Sequence, residues 1–235
     1  MEGIPRDVGS AALLAKAILQ PMSSSYKQGP DTPPQDRAAH WEHVYQTKDE
    51  AEASWHQDDP SLSRELITEF APSGGSVIDV GGGASLLACQ LAVAGFAVTS
   101  MDISATAIER AKQRGGEVAS QVQWIVGDVT ASPSLGSFDL WHDRAVFHFL
   151  TSDVDRHAYC RFLERSVRQG GHLVVGTFGI DGPTKCSGLP VQRYNAAQLE
   201  TVFGQSFSLV RSFDRMHATP WGSMQSFQFA VMQRA

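Results

Sequence analysis

The sequence predicts an α/β domain built on a doubly wound, mostly parallel sheet of seven strands, with one antiparallel edge strand and helices on both faces. Three observations predict it. From residue 76 onward, short apolar runs of strand length alternate with longer amphipathic segments of helical period. Three consecutive glycines, Gly81, Gly82 and Gly83, directly follow the first of those runs, where an open α/β sheet takes its ligands. The last two apolar runs follow one another with no helical segment between them, which makes them antiparallel neighbours.

The elements read off in chain order. Five of the eleven prolines fall in residues 1–36. The stretch from Pro21 to Asp36 is polar and proline-rich, so it sustains neither a helix nor a ladder. Residues 1–36 are therefore expected to be a flexible tail, with one short helix over 10–20, and residues 37–235 to be the domain. Trp41, Val44 and Tyr45 share a helical face at the start of the segment 40–60. A helix follows over 61–70, with Ser61 as N-cap. The expected strands are 76–80, 97–101, 122–126, 138–141, 172–178, 207–213 and 225–233. Helices are expected over 84–94, 105–114 and 153–167 between them. A long loop rich in Gly and Pro follows the fifth strand, from Asp181 to Tyr194.

Composition narrows the function classes. A chain of 235 residues that is 42% hydrophobic can fill one sizeable core. A net charge of -6 argues against a nucleic-acid surface, which requires clustered Lys and Arg. Cys89, Cys160 and Cys186 show no CxxC pairing and no zinc spacing, so no metal site is expected and the thiols fit a reducing cytoplasm. The apolar stretch at 11–19 is interrupted by Lys16 and is too short to span a bilayer, and the acidic Glu2 and Asp7 are unlike a secretory leader. The expected protein is a cytoplasmic monomer or weak dimer that acts on a small molecule, away from nucleic acid and membrane.

The residues that end the strands carry the chemistry. A dinucleotide fingerprint, GxGxxG, needs a third glycine where this chain has Leu86, so that reading fails. Asp79 sits two places before the glycines. A carboxylate there repels a pyrophosphate but suits a ligand with a cationic amine. Asp102 ends the next strand and can accept from both hydroxyls of a ribose. Asp128 ends the third and can accept from an adenine amino group. Such charged hydrogen bonds are worth roughly 1.5–3 kcal/mol each.

In these residues the chain resembles the class I S-adenosylmethionine-dependent methyltransferases, which have a Rossmann-like fold. The likeness runs from about Trp41 to Arg234 and is carried by Val77-Ile-Asp-Val-Gly-Gly-Gly83, Met101-Asp102-Ile103-Ser104 and Gly127-Asp128-Val129. It implies that S-adenosylmethionine binds and S-adenosylhomocysteine leaves. It also implies that Asp79, Gly81, Gly82 and Gly83 hold the methionine end, Asp102 the ribose and Asp128 the adenine, with Ile103 and Val129 also cofactor-binding. The chain departs from the common pattern at Ser85, the third glycine position. The segment before the first sheet strand folds over the cofactor in the resembled family, and Trp55 is the lid residue expected to cover it.

After the fourth strand, Trp141-His-Asp-Arg144 resembles the Trp-Asp-Arg segment of thiopurine-type thiol methyltransferases. That likeness implies that Arg144 stabilises an acceptor anion and Asp143 positions it, with His142 beside them as the third candidate catalytic group. His148, in an apolar neighbourhood, reads as a packed core residue. Arg193 and Tyr194, in the loop after the fifth strand, are the candidate acceptor-binding residues. S-methylation of a small thiol is the favoured reading. A protein-lysine or other N- or O-methyltransferase, and a module that binds S-adenosylmethionine without catalysis, remain open.

Overall fold

Seven strands build one sheet: β1 (Ser76–Val80), β2 (Ala97–Asp102), β3 (Gln123–Val126), β4 (Phe138–Arg144), β5 (Val167–Phe178), β6 (Phe207–Ala218) and β7 (Met224–Arg234). Their order is β3-β2-β1-β4-β5-β7-β6. The first five run parallel, and β7 is antiparallel to both of its neighbours, β5 and β6. The antiparallel strand therefore lies one place in from the edge, not at it. Residue chemistry explains the exchange. Phe227, Phe229, Ala230, Val231 and Met232 of β7 are all buried, and a strand buried on both faces belongs inside a sheet. β6 carries Arg211, Asp214 and Arg215 and is mostly exposed, which suits an edge.

The computed structural model describes residues 36–131 and 135–235, and Asp36–Ala235 forms one compact unit. The helix expected over 10–20 lies outside the described residues. Six helices flank the sheet: α1 (Arg37–Thr47), α2 (Ser61–Phe70), α3 (Leu87–Val93), α4 (Ala105–Gly115), α5 (Asp153–Ser166) and α6 (Ala196–Phe203). One sheet face buries Val77, Leu140, Val174 and Phe229 against Leu66 and Ile67 of α2 and Leu87 and Leu91 of α3. The other buries Ile78, Trp141, Leu173 and Val175 against Tyr159 and Phe162 of α5 and Leu199 and Phe203 of α6. No described helix is long and apolar enough to cross a membrane.

Among the differences from the sequence reading, three have a plain local reason or consequence. Pro60 occupies the cap position of α2, and Ser61 is its first residue, as a proline's missing N–H allows. α6 was not expected, although a capping box announces it: Asn195 accepts from the N–H of Gln198, whose side chain accepts from the N–H of Asn195. β4 runs three residues further than expected, to Arg144. That extension matters most for the site.

Candidate active site

The strand order reverses between β1 and β4, so the loops at their carboxyl ends part and leave a crevice. Two adjoining cavities occupy it. One is lined by Asp79, the three glycines, Ser63, Ser85, Arg114 and His142. The other is lined by Met101, Asp102, Ile103, Gly127, Asp128, Val129 and Phe149. Tyr45, Trp55, Gly81 and Arg144 line both and form the seam between them.

The glycine turn is shaped for close approach. Gly81 has φ 68°, and a Cβ there would lie 1.9 Å from Cγ2 of Val146. Gly83 has φ 55°, and a Cβ there would lie 2.5 Å from the Tyr45 hydroxyl. Only glycine meets both conditions. The turn is tied to Asp102, because the N–H of Gly83 donates to one of its oxygens at 2.9 Å and that of Ser104 donates to the other at 2.9 Å. Burial nevertheless dominates and pushes the Asp102 carboxyl up to about 6. Each oxygen of this desolvated carboxylate keeps acceptor capacity toward the cavity. Asp79 is buried as well and accepts from Nδ1 of His142 at 2.7 Å, and Nε2 of His142 meets the Ser63 hydroxyl at 2.9 Å.

Helix α1 and the loop after it line the crevice through Trp41, Tyr45 and Trp55. Glu42 of α1 accepts from the Ser104 hydroxyl at 2.7 Å and from the N–H of Thr106 at 3.2 Å, which pins α1 to the start of α4. Those bonds, with the Thr106 hydroxyl first among them, hold its carboxyl down at about 2. Arg37 reaches Asp128 at 3.2 Å and Asp155 at 3.0 Å. Trp41 stands edge-on to Trp55 at 5.7 Å and to Phe149 at 5.0 Å, so aromatic faces roof the seam. Behind Trp55, the Ser54 and Trp55 carbonyls accept from His217 at 2.9 Å and Arg144 at 3.1 Å.

The match to known proteins fits this geometry: residues 78–175 match the family described as a methyltransferase domain. Over those residues the chain carries a methyltransferase domain. A solved S-adenosylmethionine-dependent methyltransferase from Anabaena variabilis aligns with a TM-score of 0.70 at 14% identity, over 90% of this chain and 99% of that one. The N-methyltransferase NodS from Bradyrhizobium japonicum, solved with S-adenosylhomocysteine, aligns with a TM-score of 0.65 at 18% identity, over 85% and 99%. A structure from work on the conversion of a disulfide bond into a thioacetal group during echinomycin biosynthesis aligns with a TM-score of 0.67 at 19% identity, over 84% and 92%. At these identities the likeness is one of fold. No curated protein matches the chain.

The methyltransferase crevice gathers some of the expected residues and disperses others. Asp79, Gly81, Gly82, Gly83, Asp102, Ile103, Asp128, Val129 and Trp55 all line it. The donor set fits S-adenosylmethionine: a turn closed to side chains, a desolvated carboxylate for hydroxyl donors, and a buried carboxylate for an amine. His142, Asp143 and Arg144 do not act together. Because β4 continues to Arg144, alternation sends His142 and Arg144 to the cavity side and Asp143 to the opposite face. There Asp143 accepts from the N–H groups of Val146 and Phe147 and from the Tyr159 hydroxyl at 2.7 Å. Burial raises its carboxyl to about 6 despite these donors. It shapes the turn after β4, including Ala145 at φ 72°, and does not face the crevice.

The two acceptor-loop candidates are also absent from the crevice lining. Arg193 donates to the carbonyls of Ile180 and Gly182 and staples its own loop. Tyr194 is buried against Phe147 in the opposite core layer. From that loop it is Cys186 that lines the cavity, with its thiol 3.8 Å from the Ser54 hydroxyl. Burial raises that thiol's pKa. His148 is buried, as its apolar neighbours imply, and accepts from the N–H of Phe178 through Nδ1. Sequence reasoning missed Ser63, Arg37 and Glu42. They sit on helices flanking the motif, and only the chain's path around the crevice brings them in.

Proposed function

We propose that this methyltransferase transfers a methyl group to a small, anionic acceptor, and that the acceptor atom is a thiolate sulfur. S-adenosylmethionine supplies a methyl group on a sulfonium, so the protein's task is in-line positioning of a nucleophile with a free lone pair. The observation that carries the reading is Arg144. Its guanidinium lies at the seam of the crevice, over the Phe227 ring at 5.0 Å, and donates to the Trp55 carbonyl. Among the described residues it has no carboxylate partner. Burial lowers its pKa to about 10, so it stays charged at neutral pH.

A cation without a carboxylate partner beside the acceptor attracts an anion and repels a protonated amine. It lowers a thiol's pKa toward the working pH, so no general base is required. Tyr45, Trp55 and Gly81, which share the seam with Arg144, bring no carboxylate that would favour a lysine side chain. The free thiols Cys89, Cys160 and Cys186 suit a reducing cytoplasm, where thiol acceptors persist. Methylation assays over a panel of thiols, phenols and amines, read by mass spectrometry, test the acceptor class. With the best thiol, Arg144→Met should lose turnover and shift the pH–rate profile upward by about one unit or more, while S-adenosylhomocysteine binding holds. Arg144→Lys keeps the charge without the planar fork and should fall between. Undiminished turnover in the Met variant, or methylation of amines alone, would overturn the thiolate reading.

A further inference from the structure

We infer that Ser63, His142 and Asp79 form a buried relay that positions the carboxylate holding the cofactor's amino group, which makes His142 a positioning residue and not a catalytic one. The inference rests on the assignment of Asp79 to the methionine end. Three elements supply the relay. Asp79 on β1 and His142 on β4 stand opposite one another in the parallel register, so their side chains leave the sheet on the same face. Ser63 comes down on them from α2. All three are buried, and all three line the glycine-turn half of the crevice.

The chemistry sets the order of donors. A carboxylate accepts only, so the Nδ1 that meets Asp79 at 2.7 Å carries the proton. On the other side of the ring Nε2 meets the Ser63 hydroxyl at 2.9 Å. The ring is held at both nitrogens. One Asp79 oxygen is thereby fixed toward His142, and the other stays beside Gly82, 2.9 Å from where a Cβ would be. A carboxylate oriented in this way presents its free oxygen to an ammonium group without reorganising when the ligand arrives.

The same three residue types serve hydrolases as a nucleophilic triad. That role needs free backbone donors for an oxyanion. Here the N–H groups of Gly81 and Gly82 donate to the Met101 carbonyl and that of Gly83 donates to Asp102, so the donors next to the relay are already engaged.

The test compares two ligands that differ in the part Asp79 would read. S-adenosylhomocysteine carries the amino acid end, and 5′-methylthioadenosine lacks it. Calorimetric titration of His142→Phe should show S-adenosylhomocysteine weakened about tenfold or more with methylthioadenosine unchanged. Ser63→Ala, which helix α2 tolerates, should show a smaller loss of the same kind. His142→Gln, which can still donate to Asp79, should recover part of the affinity. Equal losses for both ligands would mean a merely structural role and overturn the relay, as would unchanged binding of both ligands to a folded Ser63→Ala and His142→Phe. Asp79→Asn separates the underlying assignment. If it leaves S-adenosylhomocysteine as tight as before, Asp79 does not read the methionine end. If Asp79→Asn discriminates the two ligands and the His142 and Ser63 variants do not, only the relay fails.

Discussion

Burial raises the Asp102 carboxyl to about 6, close to the working pH of most enzymes. To accept from ribose hydroxyls it must be ionised, so below pH 6 binding requires loss of a proton. Cofactor affinity should therefore fall about tenfold per unit as pH drops below 6. The sign for stability is opposite. A carboxyl whose folded pKa lies above its unfolded value of 3.8 contributes stability that is complete below 3.8 and lost as pH rises through 6. Titration with S-adenosylhomocysteine at pH 7.5 and pH 5 checks the first trend. Asp102→Asn should bind more weakly at neutral pH and lose the dependence, and a wild-type affinity indifferent to pH would remove Asp102 from the ribose site. Asp102 was legible in the sequence because it ends a strand beside a glycine turn, a place that topology alone makes a ligand site. The roles of His142, Asp143 and Arg144 were not. A strand that ends at Trp141 leaves all three in one loop, and a strand that ends at Arg144 splits them between two faces.

At the scale of elements, the turn from β4 into the segment before α5 depends on Asp143. Removing its carboxylate leaves the N–H groups of Val146 and Phe147 and the Tyr159 hydroxyl, all engaged with it now, without their acceptor. Asp143→Ala should destabilise the domain by on the order of 2–4 kcal/mol in urea unfolding, because buried donors are left unmet. A loss below about 0.5 kcal/mol, the range of ordinary surface changes, would show that the turn holds without it. Helix α1 depends on a different contact. Glu42→Gln keeps the shape but replaces a charged acceptor at the start of α4 with a neutral one. Amide exchange across α1 should speed up in that variant, with little change in β1 or β4. The periodicity of Trp41, Val44 and Tyr45 revealed α1, but the partner of Glu42 lies 62 and 64 residues away in the chain. Pattern reading carries no information about such pairs. α6 was missed for a simpler reason: eight residues with two buried side chains give little periodic signal, and its cap residues were the legible part.

For the whole molecule, Asp36–Ala235 is one compact unit whose first described contact is the Asp36 cap on the N–H of Ala39. A chain lacking residues 1–20, which are expected from sequence to add little to the core, should keep its melting temperature within about 2 °C. Scanning calorimetry checks it, and a larger drop would mean that the segment packs on the domain. The sequence by itself determined the α/β class, the succession of the seven sheet strands along the chain, the glycine turn and the acidic strand ends that line the crevice. Each of these is written in local chemistry: hydrophobic period, φ freedom and charge at a strand's end. Tertiary structure alone decided that β7 inserts beside β5 with β6 at the edge. It also decided that Asp143 faces away from the crevice while Ser63 faces into it, and that Arg144 stands at the seam without a carboxylate partner among the described residues. These outcomes depend on which side of a strand a residue leaves and which distant element meets it there. A shift of one residue in a strand's register inverts that side, so it is settled only when the sheet has closed.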